Sequence, residues 1–145
     1  MVETGAPLAG EMSGHIFFGH DYYGFDDALF AAVKLIRAIH ASGRSLTQLH
    51  DAMPALVSTP DLRIPVAESR KQAVVSEVDA RLNEQGIAAD RTDGLRVMRP
   101  DGWWLLRASN TQGALTVRAE AGDEAGLARL LAEVDGHLAA SGVTR

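Results

Sequence analysis

Apolar residues recur at helical spacing in the first third of the chain, at Leu29, Val33 and Ile36. This spacing predicts a helix over residues 26–42, with Asp26 as its N-cap. A capping box at residues 45–48 then predicts a second, short helix. The residues before the first helix have the pattern of loop and short strand. Since the two helices make up most of the rest, residues 1–56 are expected to form one mostly helical block.

The remainder of the chain combines alternating and helical patterns. Five segments favour strands, the second of them weakly: residues 62–66, 87–90, 95–98, 103–107 and 115–120. Helical spacing is found over residues 69–85 and again after Asp123. The order β-α-β-β-β-β-α predicts an α+β fold for residues 57–145, an antiparallel sheet with two helices on one face. Pro65 indicates that its strand lies at a sheet edge or has a bulge.

Two neighbouring tryptophans, Trp103 and Trp104, lie in the fourth of these strand segments. Adjacent strand residues point to opposite faces, so one ring is expected in the core and the other partly exposed. An exposed tryptophan can stack on a sugar ring, but packing against protein is the favoured interpretation.

Composition excludes several classes of function. The net charge is −5, and among the fourteen basic residues only Lys34 and Lys71 are lysines, with no basic stripe of the kind that binds nucleic acid. The absence of cysteine excludes disulfides and thiol catalysis. The sequence has no apolar stretch near the ~20 residues of a membrane span and no signal peptide at its start. A cytoplasmic location is therefore expected.

A polar loop over residues 10–15 carries candidate sugar-binding chemistry. Glu11 and Ser13 are two positions apart, so in an extended segment they face the same way. The Glu11 carboxylate can accept hydrogen bonds from two adjacent sugar hydroxyls. His15 suits proton transfer, because its charge changes near neutral pH. The alternative interpretation is an ordinary polar turn before an apolar strand.

A second loop carries candidate phosphate-binding chemistry: Arg107, Ser109, Asn110 and Thr111. It lies between two predicted strands, so it should cap a hairpin. The planar guanidinium of Arg107 matches a phosphate dianion, and the turn can supply backbone N–H donors. A solvated hairpin tip, with Arg107 in a surface salt bridge, is the alternative. Taken together, the two loops predict the two ends of a binding site for a phosphorylated sugar.

Both loops resemble those of the α-D-phosphohexomutases. Residues 10–15, followed by Ile16-Phe17-Phe18 and by Gly24-Phe25-Asp26-Asp27, resemble the family's sugar-binding region, and residues 107–111 resemble its phosphate-binding loop. The similarity is strongest to the bacterial phosphomannomutase/phosphoglucomutase branch. It implies that residues 1–56 are the end of the family's third domain. Residues 57–145 would be its fourth domain, whose fold resembles that of the TATA-box-binding protein.

The resemblance also implies roles for individual residues. Glu11 and Ser13 would hold hexose hydroxyls, and His15 would assist proton transfer in the interconversion of hexose 1- and 6-phosphates. The unreacting phosphate would be bound by Arg107, Ser109, Asn110 and Thr111. Met12 favours the mannose/glucose branch. Gly113, where the family often has proline, is expected to loosen the phosphate loop.

Two further loops of the family have no counterpart in this sequence: the serine loop that carries the phosphoryl group and the Asp-rich loop that binds magnesium. Mg²⁺ and a hexose bisphosphate activator are implied only for the intact enzyme, and no metal ligand is expected in this chain, Asp26 included. The chain is therefore expected to be a fragment, inactive alone, whose partners are a phosphorylated hexose and the N-terminal domains of the same enzyme. A free-standing phosphosugar-binding or regulatory module, or an interaction domain with vestigial loops, are the alternatives.

Overall fold

The computed structural model describes residue 1, residues 4–11 and residues 13–145 of the chain. Val2, Glu3 and Met12 lie outside the described residues, so the interpretation of Met12 stays a prediction. The chain forms two compact units, Met1–Pro54 and Ala55–Arg145.

The first unit is a short hairpin followed by two helices. Strands β1 (Leu8–Gly10) and β2 (Ile16–Phe18) pair antiparallel, and helices α1 (Ala28–Ser42) and α2 (Leu46–Asp51) follow. Helix α1 ends at Gly43, whose φ of 64° is left-handed and suits glycine. The capping box at the start of α2 is confirmed: the Ser45 hydroxyl accepts from the Gln48 N–H, and the Gln48 side chain accepts from the Ser45 N–H.

The predicted N-cap of α1 is wrong by one residue. Asp27, not Asp26, caps the helix, since its Oδ1 accepts from the Phe30 N–H at 2.9 Å. A capping side chain must reach an N–H two or three residues ahead, and from Asp27 that N–H is free of any intrahelical partner. Asp26 instead lies in extended backbone, where it forms an isolated antiparallel bridge with Phe17.

An aromatic cluster holds the hairpin against the start of α1. The Phe18 ring meets Phe30 edge-on at 5.2 Å between centroids, and Tyr22 stacks on Phe30 at 4.0 Å. The Tyr22 hydroxyl also donates to the second oxygen of Asp27 at 2.5 Å. Ring packing and the cap therefore fix the same end of the helix relative to β2.

The apolar stripe that predicts α1 is exposed within the described structure. Leu29 is 81% exposed and Ile36 is 65% exposed, and neither α1 nor α2 contains a buried residue. The helix forms where the spacing predicts it, but this unit supplies no described surface that covers the stripe.

The second unit is an antiparallel sheet with two helices, which confirms the predicted α+β class. Its elements in chain order are β3 (Val57–Ser58), β4 (Leu62–Pro65), α3 (Lys71–Glu84), β5 (Ala89–Asp90), β6 (Leu95–Arg99), β7 (Gly102–Ala108), β8 (Ala114–Ala121) and α4 (Glu124–Ala139). The strand order is β3-β8-β7-β6-β5, and β4 also pairs with β8. Only the two-residue β3 was not predicted. Pro65 ends an edge strand, as expected.

The core lies between one face of this sheet and helices α3 and α4. Its central ring is Trp104, which is fully buried, and the surrounding side chains include Val97, Leu106, Val117, Val78 and Leu130. Trp103 lies on the other face, where its Nε1 donates to Glu120 and the Arg96 guanidinium lies 4.8 Å from its ring. One tryptophan is core and its neighbour is partly exposed, as the alternation predicts. No helix in the described part of the chain is long and apolar enough to cross a membrane.

We predict that residues 55–145 fold cooperatively when expressed alone. The described apolar residues that are buried all lie between Ile64 and Leu138, so removal of the first unit takes away none of this core. Thermal unfolding should show one transition, and amide hydrogen exchange should show protection like that of the full chain. Residues 1–54 alone are the control and should show no cooperative transition. Strong protection of residues 4–24 in the full chain, equal to that of the sheet, would contradict the prediction.

Candidate functional site

The loop between β1 and β2 brings Glu11 and Ser13 together. The Glu11 N–H donates to the His15 carbonyl at 2.9 Å, and the Gly14 N–H donates to the Glu11 carbonyl at 3.0 Å. The Ser13 hydroxyl donates to Glu11 Oε2 at 3.0 Å. Both side chains are exposed, and the carboxylate keeps lone pairs for further donors. The loop thus presents a carboxylate and a hydroxyl on one side, an arrangement that suits vicinal hydroxyls.

His15 forms a hydrogen-bonded pair with Asp26. The bridge between Phe17 and Asp26 makes His15 a diagonal neighbour of Asp26 on the same face, within side-chain reach. His15 Nδ1 bonds Asp26 Oδ2, and the imidazole remains 54% exposed. The hydrogen bond to Asp26, followed by the attraction of its negative charge, raises the pKa of His15 above 6.5, and Glu11 adds to the effect.

This pairing has a chemical consequence for the imidazole. In the neutral ring a proton on Nδ1 is donated to the Asp26 carboxylate, which leaves Nε2 as an acceptor. The carboxylate beside Nδ1 raises the pKa of His15, so it favours the imidazolium that forms when Nε2 takes up a proton. His15 can therefore take up or release a proton at Nε2 while Asp26 holds the orientation of the ring.

The second candidate loop joins β7 to β8. Arg107 is the second-last residue of β7, and Asn110 and Thr111 are exposed at the tip of the loop. The Ser109 N–H donates to the Ala114 carbonyl at 2.9 Å, which closes the loop. Arg107 Nη1 lies 3.5 Å from Asp93 Oδ2, and a third of the arginine side chain is exposed. A bound anion would therefore compete with a loose ion pair for the guanidinium.

Two side chains that the sequence analysis did not connect with this loop, Lys71 and Arg63, form hydrogen bonds with it. The Lys71 ammonium donates to the carbonyls of Ser109 at 2.7 Å and Gln112 at 3.3 Å. Across the sheet, Arg63 Nη1 donates to the Gln112 side chain at 3.3 Å.

Gly113 is a point of close approach, and its loosening of the loop stays a prediction. Its carbonyl accepts from the Val66 N–H at 3.0 Å. A Cβ atom on Gly113 would lie 2.9 Å from the Val66 carbonyl oxygen, so a larger residue would force the backbone to shift. The glycine lets the segment after β4 pack directly against the loop.

The structure thus brings each predicted set together within its own loop. Glu11, Ser13 and His15 lie in the β1–β2 loop, and the four phosphate candidates lie at the end of β7 and beyond it. Asp26 was missed as the partner of His15, because the Asp26-Asp27 doublet gave no sign of which residue would cap the helix. Lys71 was missed because its partners are backbone carbonyls distant in sequence.

The described residues do not fit a magnesium site. No three His, Asp or Glu side chains among them are grouped so that they could hold a metal ion. Asp26 and Asp27, the adjacent carboxylates, are engaged by His15 and by the N-terminus of α1.

Comparisons with known proteins match both units to one family. Residues 62–137 match the profile described as phosphoglucomutase/phosphomannomutase, C-terminal domain. Residues 1–56 match the profile described as phosphoglucomutase/phosphomannomutase, alpha/beta/alpha domain III. The two matches follow one another in the chain.

Curated relatives and a solved structure agree with these matches. A phosphomannomutase/phosphoglucomutase of Pseudomonas aeruginosa PAO1 and a phosphoglucomutase of Neisseria gonorrhoeae are each 42% identical over 132 residues, which is 90% of this chain. A phosphoglucomutase/phosphomannomutase family protein of Burkholderia thailandensis is similar over 97% of the chain, with 37% identity and a TM-score of 0.82. The chain spans 28% of the length of the two curated relatives and 30% of the solved chain.

We predict that Asp26→Asn lowers the pKa of His15 back toward 6.5, because an amide carries no charge to favour the imidazolium. A proton NMR titration of the His15 ring measures it. The raised pKa also makes the free energy of unfolding depend on pH. The stabilisation by the His15–Asp26 pair is fully present below pH 6.5 and is lost as the pH rises through the raised pKa.

The matched control for this substitution is Asp27→Asn. It removes the same charge one residue away, but that carboxylate faces the Phe30 N–H and the Tyr22 hydroxyl. The pKa of His15 should then stay raised. If the pKa of His15 falls equally in both variants, or falls in neither of them, the specific pairing of His15 with Asp26 is refuted.

Proposed function

The chain belongs to the phosphoglucomutase/phosphomannomutase family, and we propose that it forms the sugar- and phosphate-recognising C-terminal part of an enzyme that interconverts hexose 1- and 6-phosphates. Residues 1–56 would be the end of the third domain and residues 57–145 the fourth. The observation that carries the proposal is the arginine near the end of β7, followed by the polar residues Ser109, Asn110 and Thr111 in a loop held by the buried Lys71 side chain.

In the first unit, Glu11 and Ser13 recognise the hexose. Both lie on one side of the β1–β2 loop, and the Glu11 carboxylate accepts hydrogen bonds from adjacent ring hydroxyls. Charge-assisted bonds of this kind are about twice as strong as neutral ones. Sugars that lack a hydroxyl at the recognised position would leave this carboxylate without its donor, which gives selectivity.

His15 is the proposed general acid and base. With Nδ1 bonded to Asp26, its Nε2 accepts a proton from the sugar hydroxyl that gains the phosphoryl group, and it gives a proton to the sugar oxygen from which a phosphoryl group leaves. Asp26 holds the ring and stabilises the imidazolium that forms in between. The phosphoryl carrier and Mg²⁺ of such an enzyme would be held by residues other than those described in this chain.

In the second unit, Arg107, Ser109, Asn110 and Thr111 bind the phosphate that does not react. The guanidinium can make two parallel hydrogen bonds to phosphate oxygens, and the hydroxyl and amide groups complete the shell. Binding of one phosphate at a fixed place lets the sugar turn end over end between two rounds of transfer. The hexose bisphosphate activator, the N-terminal domains as partners and a cytoplasmic location remain predictions of the same proposal.

A stand-alone phosphosugar-binding or regulatory module is the second candidate function. The observation that favours it is that this sequence holds recognition loops of both kinds, one for a sugar and one for a phosphate. Both functions require the same phosphate binding, and they differ in whether catalysis occurs once the other domains are supplied.

We predict that the 145-residue chain alone does not interconvert glucose 1-phosphate and glucose 6-phosphate. Without a phosphoryl carrier and a charge-neutralising metal, phosphoryl transfer lacks both its nucleophile and its electrostatic stabilisation. A coupled assay with magnesium and glucose 1,6-bisphosphate tests this. A preparation of His15→Ala serves as the contamination control, and turnover in the wild-type chain above that level would contradict the prediction.

We also predict that Arg107→Lys weakens phosphate binding by roughly tenfold or more, because an ammonium cannot reproduce the planar fork. The measurement is a titration of inorganic phosphate followed by the amide NMR signals of residues 108–112. Asp93→Asn should strengthen binding, since it frees the guanidinium from its ion pair.

Arg129→Lys is the matched control for Arg107→Lys, because Arg129 pairs with Asp101 in the turn at the opposite end of β7. It should leave the phosphate titration unchanged. No response of residues 108–112 at millimolar phosphate in the wild-type chain, or an unchanged titration in Arg107→Lys, would refute the phosphate assignment.

A further inference from the structure

Lys71, the first residue of α3, is a buried cation beneath the phosphate loop. It is 7% exposed, and among the buried residues described it is the one with a permanent charge. Its ammonium has three donors, and these meet the carbonyls of Ser109 and Gln112 and the Glu68 carboxylate at 2.6 Å. A buried charge is costly unless it is fully paired. Its position is therefore set by these partners.

The lysine helps to fix which way two peptide groups of the loop point. It binds the Ser109 carbonyl, and it shares the Gln112 carbonyl with the Ala114 N–H, which donates to that oxygen at 2.8 Å. The peptide bonds after Ser109 and Gln112 are trans, so the N–H of each peptide plane points opposite to its carbonyl. With the carbonyls of Ser109 and Gln112 directed at the Lys71 ammonium, the N–H groups of Asn110 and Gly113 are directed away from it. They point to the outer side of the loop, where the exposed Asn110 and Thr111 lie.

We propose that Lys71 is a positioning residue that preorganises this loop for phosphate: by binding two inward carbonyls, it turns the N–H groups of Asn110 and Gly113 toward the anion. The inference rests on the proposed phosphate binding by the loop. The ammonium itself lies beneath the loop and acts on phosphate only through these peptide groups.

Gly113 contributes to this arrangement in two ways. It provides an N–H that a proline at the same place would lack. The absence of a Cβ also allows the chain at Val66 to approach closely, so that the Val66 N–H binds the Gly113 carbonyl. Three carbonyls of the loop are thus engaged, two by Lys71 and one by Val66. An outward set of N–H groups is a backbone anion nest.

The test is a phosphate titration by amide NMR on the full 145-residue chain and on Lys71→Met, which keeps the length of the side chain and removes the ammonium. In the wild-type chain the Asn110 and Gly113 amide protons should move downfield with phosphate. In Lys71→Met their shifts should be largely lost and binding should weaken by roughly tenfold. Arg129→Met removes one positive charge at the other end of the sheet and should preserve both shifts.

The outcomes separate the inference from the proposed function. If no residue of the loop responds to phosphate in the wild-type chain, the proposed function itself fails. If Thr111 and Arg107 respond while the Asn110 and Gly113 amides stay still, the positioning role of Lys71 is overturned, and this result needs no variant that folds. Unchanged Asn110 and Gly113 shifts with unchanged affinity in Lys71→Met would overturn it as well.

Discussion

The pairing of β7 with β8 is the constraint on which the second unit depends. Seven residue pairs, from Gly102 opposite Ala121 to Ala108 opposite Leu115, fix the register of the two longest strands. That register places Trp104 on the face covered by the helices and Arg107 on the open face. A slip by one residue would expose the tryptophan and bury the arginine, so burial of the core holds the candidate site in register.

The far side of β8 supplies the support for the β7–β8 loop. Pairing of β4 with β8 sets Pro65 opposite Ala114, so the chain after β4 runs past the β7–β8 loop. This path brings the Val66 N–H to the Gly113 carbonyl and the Lys71 ammonium to Ser109 and Gln112. A loop at a hairpin tip, usually mobile, is thereby tied to an edge strand and to a helix.

In the first unit, two neighbouring carboxylates have different roles. Asp27 accepts from the Phe30 N–H and from Tyr22, and so fixes the start of α1. Asp26, one residue earlier, lies in extended backbone opposite Phe17 and meets His15. Both residues have extended backbone, and successive residues of an extended segment point to opposite sides. The two identical side chains therefore meet different partners: one supports structure and the other tunes an imidazole.

The sequence alone determined the elements other than β3, the α+β class, the two loops and the residues within each, because periodicity and turn chemistry act over a few neighbouring residues. Single-residue alternation also predicted that one of Trp103 and Trp104 would be buried. Only the tertiary structure decided that Asp26 faces His15, that Asp93 faces Arg107 and that Lys71 lies beneath the β7–β8 loop. These contacts depend on strand register and on chain path, and both are set by burial of a common core rather than by local preference.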